Sequence, residues 1–72
     1  MPKKTKKSAE QTAKKLGIPK SNVVKTDKGY FIAPAGITSS GAKKAYANIR
    51  AKGKSKKYSA KVAWTIQKDK SK

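Results

Sequence analysis

The chain contains no cysteine and no histidine. Without thiols there is no disulfide and no thiolate metal site, and the redox compartment leaves no mark. Without imidazole the commonest general base and the commonest metal ligand are missing. Acid is scarce as well. Glu10, Asp27 and Asp69 are the three carboxylates, and they lie far apart in sequence. No carboxylate pair for acid–base work is suggested. The expectation is therefore a protein that is not an enzyme, with no metal and no cofactor. Long apolar runs are absent too. None approaches the ~20 residues that span a bilayer. The basic start is not followed by the apolar stretch of a signal peptide. Neither helix candidate has the bulky apolar face of an interfacial helix. No membrane partner is expected.

What is present is positive charge. Twenty Lys+Arg stand against three Asp+Glu, a net charge of +17 over 72 residues. Solubility asks for only about 2–8 in a small domain. A chain this basic repels itself and attracts polyanions, which points to nucleic acid. Nineteen of the basic residues are lysine and Arg50 is the one arginine. Bidentate reading of guanine favours arginine. Lysine instead suits phosphate contact with weak sequence preference.

The length fits one small domain with a thin core. Residues 1–7, "MPKKTKK", read as a disordered basic arm with nothing to bury. "SAEQ" fits a capping box with Ser8 at the cap and Gln11 three residues on. Ala9, Ala13 and Leu16 follow at helical spacing, and Gly17 and Pro19 supply a stop. Helix one is expected over 8–16.

"AKKLGIPKSNV" resembles the helix-turn-helix of bacterial regulators. Ala13, Gly17 and Val23 match that motif's small residue, turn glycine and buried aliphatic, and Leu16 and Ile18 fit its apolar positions. The resemblance implies a DNA-binding regulator using residues 10–28. Its second helix would start near Lys20, where Asp27-Lys28-Gly29 stops it early. Those three residues suit a hairpin loop instead, a type I turn with Gly29 in a G1 bulge. Val23 and Val24 before it, with Tyr30, Phe31 and Ile32 after it, favour strand. The preferred reading is a hairpin pairing 22–26 with 29–33, ended by Pro34. Thr26 then faces Tyr30, Lys25 faces Phe31, Val24 faces Ile32 and Val23 faces Ala33. If Val24 and Ile32 point to the core, Phe31 lies on the open face beside Lys25.

"PAGITSSG" reads as a loop with cap residues at Thr38, Ser39 or Ser40. Ala42, Ala45, Tyr46 and Ile49 recur at helical spacing, so helix two is expected over roughly 40–52, stopped by Gly53. In "YSAKVAWTIQ", residues 58–67, Tyr58, Ala60, Val62, Trp64 and Ile66 alternate with Ser59, Lys61, Ala63, Thr65 and Gln67. That period predicts a third strand with Trp64 in the core. Residues 68–72 read as a basic tail. The expected fold is α+β: a single αββαβ domain over 8–67, a three-stranded antiparallel sheet with two helices on one face.

No phosphate-cradling glycine motif is present, since Gly36, Gly41 and Gly53 lack the spacing. The candidate nucleic-acid contacts are the lysine clusters. They comprise Lys3, Lys4, Lys6 and Lys7 in the arm, and Lys14 and Lys15 at the end of helix one. Lys25 and Lys28 flank the hairpin turn, and Lys43 and Lys44 mark the outer side of helix two. Lys52, Lys54, Lys56 and Lys57 form a basic loop, and Lys61 follows. Phe31 and Arg50 complete the set. Double-stranded DNA is the first expectation, with RNA or a ribosome-associated role second. A modulator of an acidic protein surface, of the kind phages and mobile elements encode, comes third. A cytoplasmic or nucleoid-associated location would suit a prokaryotic or phage-encoded chain. A homodimer through the open sheet face or an edge strand stays open.

Overall fold

Thr5 opens the first helix. Its hydroxyl oxygen accepts the Ser8 N–H at 3.1 Å, capping α1, Lys6–Lys15. The structure, a computed structural model, describes residues 5–70. The cap thus lies three residues before the expected Ser8. Lys6 and Lys7, assigned by sequence to the arm, form the first helical turn. Ala9 and Ala13 are fully buried, as their spacing implied, whereas Leu16 at the C-cap is 65% exposed. Gly17 takes φ 72, which lets Ile18 N–H reach the Ala13 carbonyl at 2.8 Å and Gly17 N–H reach Lys14 at 3.1 Å. This paired closure satisfies two end carbonyls and stops the helix.

A single 3₁₀ turn, Lys20–Asn22, follows, and the chain then extends. No second recognition helix forms there, which corrects the helix-turn-helix resemblance. Strands β1, Val23–Thr26, and β2, Gly29–Ile32, make an antiparallel hairpin. Asp27 and Lys28 keep negative φ and Gly29 takes φ 128. Thr26 stiffens the tip, its hydroxyl donating to the Gly29 carbonyl at 2.9 Å and accepting the Lys28 N–H at 3.2 Å.

The pairing differs from the expected one by one residue. Thr26 pairs with Gly29, Lys25 with Tyr30, Val24 with Phe31 and Val23 with Ile32. A one-residue slip exchanges the faces of a strand. Phe31 therefore faces inward, 6% exposed, with Ala33 fully buried two residues on. The expected open-face position of Phe31 is corrected. Its large apolar ring gains most from burial.

Asn22 fixes the far end of the hairpin. It is 2% exposed, and its amide donates toward three carbonyls, Ala33 at 3.1 Å, Pro34 at 2.8 Å and Ile37 at 3.2 Å. A turn over 34–37 follows, closed by Ile37 N–H to Pro34 at 2.9 Å. Ser39 then caps α2, Ser40–Ala51, by accepting the Ala42 N–H at 3.2 Å. This helix ends like the first. Gly53 takes φ 91, and Lys54 N–H reaches the Ile49 carbonyl.

The expected third strand is a helix, α3, Lys56–Lys70. The alternation would have buried Tyr58 and Trp64, which are 51% and 44% exposed. The buried residues are Ser59 and Ala63, with Ile66 packed beside them, a spacing of four and three. Small side chains let α3 lie close to α2, and lysine, alanine and glutamine are good helix formers. The sheet thus has two strands, and the described residues form three α-helices in an α+β arrangement.

An isolated hairpin is marginal in water. Here α1 and α2 each pack on both strands, and α3 packs on α2. Ala33, Ile37, Ala42, Tyr46 and Ala63 make the core, with Ala60 and Ile66 against it. None of the three helices has an acidic residue in its first turn. No helix among the described residues is long and apolar enough to cross a membrane.

Candidate nucleic-acid interface

The helical form of residues 56–70 redistributes their side chains. Around α3, Lys57, Lys61, Trp64 and Lys68 recur at intervals of four, three and four, and all are exposed. Positions three and four apart share one helix face. Sequence alternation had sent Trp64 inward and left Lys68 in a tail. The 3.6-residue period of the buried Ser59, Ala63 and Ile66 was the signal that could have found this stripe. Tyr58 lies near its start, with the Lys54 ammonium 5.9 Å from the ring centroid.

Trp64 reaches back over the 34–37 turn. A Cβ on Gly36 would stand 2.2 Å from its Cη2. Gly36 is thus required for space, since its φ is not in the left-handed region. Gln67, one turn on, ties that turn to α3. Its Nε2 donates to the Gly36 carbonyl at 2.9 Å, while its Oε1 accepts the Ser39 N–H at 3.0 Å and the Thr38 N–H.

A second basic group lies at the hairpin tip. Lys25, Lys28 and Lys52 line an open groove of about 530 Å³, with Thr26, Asp27, Asn48 and Ala51. Lys25 and Lys28 come from the hairpin and Lys52 from the C-cap of α2.

Arg50 is half-buried and engaged by groups of its own chain. It donates to the Lys54 carbonyl at 2.8 Å, holding the α2–α3 turn, and its guanidinium carbon sits 5.8 Å from the Phe31 ring centroid. It also faces Tyr46, one helical turn before it. Burial pushes the Tyr46 hydroxyl above its ordinary value, and the charge and hydrogen bond of Arg50 partly draw it back. Both Arg50 and Phe31 line a groove of about 470 Å³, with Leu16, Tyr30 and Lys56 among its walls.

The other sequence candidates are scattered. Lys14 and Lys15 stand exposed at the end of α1, and Lys6 and Lys7 at its start. Lys44 is exposed, while Lys43 is half-buried and donates to the Ser21 hydroxyl at 3.3 Å. Lys3 and Lys4 lie outside the described residues. Asn22 escaped sequence reasoning altogether, because a lone asparagine before a strand carries no pattern. Among the described residues no group of three His, Cys, Asp or Glu side chains gathers to hold a metal ion.

No family model, curated protein or solved structure matches this chain.

Proposed function

We propose that this protein binds nucleic acid, double-stranded DNA foremost, through lysine–phosphate contacts with little reading of base sequence. The observation that carries this is a net charge of +17 on 72 residues, far beyond what solubility needs. Exposed lysines on the hairpin tip, the helix ends and α3 present that charge to solvent. The sole arginine, the side chain best suited to bidentate base reading, is turned to internal partners. The lysines that remain are point charges matched to phosphate. The hairpin tip suits a duplex, because a two-stranded ribbon fits the major groove. Lys25, Lys28 and Lys52 would then follow the backbone. A nucleoid-associated location in a prokaryotic or phage-infected cell accords with this role.

The test is a salt titration of binding to unrelated duplexes of equal length. Affinity should be similar for all of them, and log affinity should fall linearly with log salt. About 6–10 phosphate contacts lose on the order of 10³–10⁵ in affinity between roughly 50 and 200 mM salt. Replacing Lys25, Lys28 and Lys52 with alanine should lower the slope by about one for each phosphate that is no longer neutralised. Absence of duplex binding at low salt would falsify the proposal. Capture of an acidic protein that survives nuclease treatment, without duplex binding, would replace it.

A further inference from the structure

We infer that Trp64 is a stacking platform for an unpaired base, and that the Lys57–Lys61–Trp64–Lys68 face of α3 holds single-stranded nucleic acid. This rests on the nucleic-acid reading and deepens it, because it assigns a distinct face to strands whose bases are free.

Three observations carry it. The first is exposure. Trp64 is 44% exposed although it is the largest apolar side chain available to a thin core. A ring used only for packing would have more of its surface covered. Those core positions are filled instead by Ala60, Ala63 and Ile66 of the same helix.

The second is orientation. The position of a Gly36 Cβ lies 2.2 Å from Cη2, with Cζ2 and Cζ3 farther away at 3.0 and 3.3 Å. A ring lying flat on the glycine would hold its flanking carbons nearly as close as Cη2. The observed fall-off to both sides means that the benzo edge meets Gly36. The edge is seated against the glycine, while the residue as a whole keeps 44% of its surface open. The seat is fixed, because Gln67 bonds to Gly36, Thr38 and Ser39 at once. Such an indole is preorganised, and little side-chain freedom is lost when a base stacks on it.

The third is the charge around it. Lys61 precedes Trp64 by three residues and Lys68 follows it by four, with Lys57 one turn further back. Lysines on both sides of an aromatic ring suit a strand that runs along the helix, its phosphates on the ammonium groups and a base on the indole. Sequence-tolerant single-strand binding uses this pairing of basic track and aromatic platform. In a blunt duplex the internal bases are stacked on one another, and only the two end pairs offer the ring a face.

The experiment follows indole emission and affinity together. The full chain, whose one tryptophan reports alone, is titrated with oligo-dT, with oligo-U, and with a blunt duplex of equal length. Both single strands should quench the emission, and the duplex should quench it far less. Trp64→Ala should weaken oligo-dT binding about five- to 150-fold, the range for one stacked base. It should leave the salt slope and the duplex affinity unchanged, because stacking releases no counterions. Trp64→Phe should recover most of the loss. Emission unchanged at saturation with both single strands would overturn the inference, and so would equal weakening of duplex and single-strand binding in Trp64→Ala. The wild-type quench keeps the test alive should Trp64→Ala fail to fold. Failure of the broader reading looks different, for the wild-type protein would then bind none of the three at low salt.

Discussion

Asn22 and Pro34 are joined by a 2.8 Å hydrogen bond from the asparagine amide to the proline carbonyl. The same amide faces the Ala33 and Ile37 carbonyls, so one side chain closes the hairpin and anchors the turn that leads into α2. Asn22→Asp replaces that donor with an acceptor against three acceptors. Each buried group left unsatisfied costs about 1–3 kcal/mol. Asn22→Asp should therefore lower the urea midpoint more than Asn22→Ala, and both should fall well below the wild type. Wild-type stability in either variant would mean that the turn holds without the amide.

Phe31→Ala should melt the domain. Phe31 is 6% exposed and lies under the Arg50 guanidinium. Truncating a buried phenylalanine costs about 3–5 kcal/mol, a large part of the stability of so small a domain. Thermal unfolding of Phe31→Ala beside Trp64→Ala checks it. The first should lose its transition at ordinary temperature, and the second should keep one.

Gly36→Ala should move the indole and spare the fold. The backbone there accepts any residue, and the obstructing atom is the far end of the Trp64 side chain. The ring must swing away from its seat. Tryptophan emission should shift to the red as the ring meets more water, while the melting temperature changes little. Unaltered emission would place the ring elsewhere.

Tyr46→Phe should alter the pH dependence of stability only on the alkaline side. Burial raises the Tyr46 hydroxyl above 10.0 in the folded protein, net of the opposing pull of Arg50. The folded state therefore favours the neutral phenol. Its contribution is fully present below the unfolded value and is lost as pH rises through the folded one. The stability difference between wild type and Tyr46→Phe should be flat from neutral pH to about 10 and should fall above it. Urea unfolding across that range measures it, and lysine titration common to both proteins cancels. A difference that stays flat above 10.0 would show that Tyr46 ionises without penalty.

The local signals of the chain proved legible. Gly17 and Gly53 stop helices where sequence placed the stops, and Asp27-Lys28-Gly29 turns the hairpin. Each of these depends on a few neighbouring residues. Register and the last element depend on more. Whether Thr26 pairs with Gly29 or Tyr30 turns on one loop residue, and that choice decides which side of the sheet Phe31 takes. In residues 58–67 the apolar residues alternate by chance, while the packed positions are Ser59, Ala60, Ala63 and Ile66. Small residues register faintly on a hydrophobic pattern, yet they set how closely two helices approach. The candidate site suffered from the same error, since Trp64 cannot be placed on a basic face until its segment is helical. The partners of Arg50, Phe31 and the Lys54 carbonyl, could not be read from sequence for another reason, because they are fixed only by the tertiary fold.

The three helix starts without acid have an effect on the free protein. Lys6 and Lys7 open α1, and Lys56 and Lys57 open α3, at the ends where the peptide dipoles already point positive. Folding sets these charges against the positive ends of the helices, so the free chain works against its own field. Dissolved ions shield that field and should strengthen the fold. In the proposed complex the same ions would compete with lysine for phosphate and weaken binding. On that proposal salt acts on the free and bound forms with opposite sign. At low ionic strength the proposed polyphosphate partner would serve as the counterion that the free fold lacks, and binding it would complete the electrostatics of the fold.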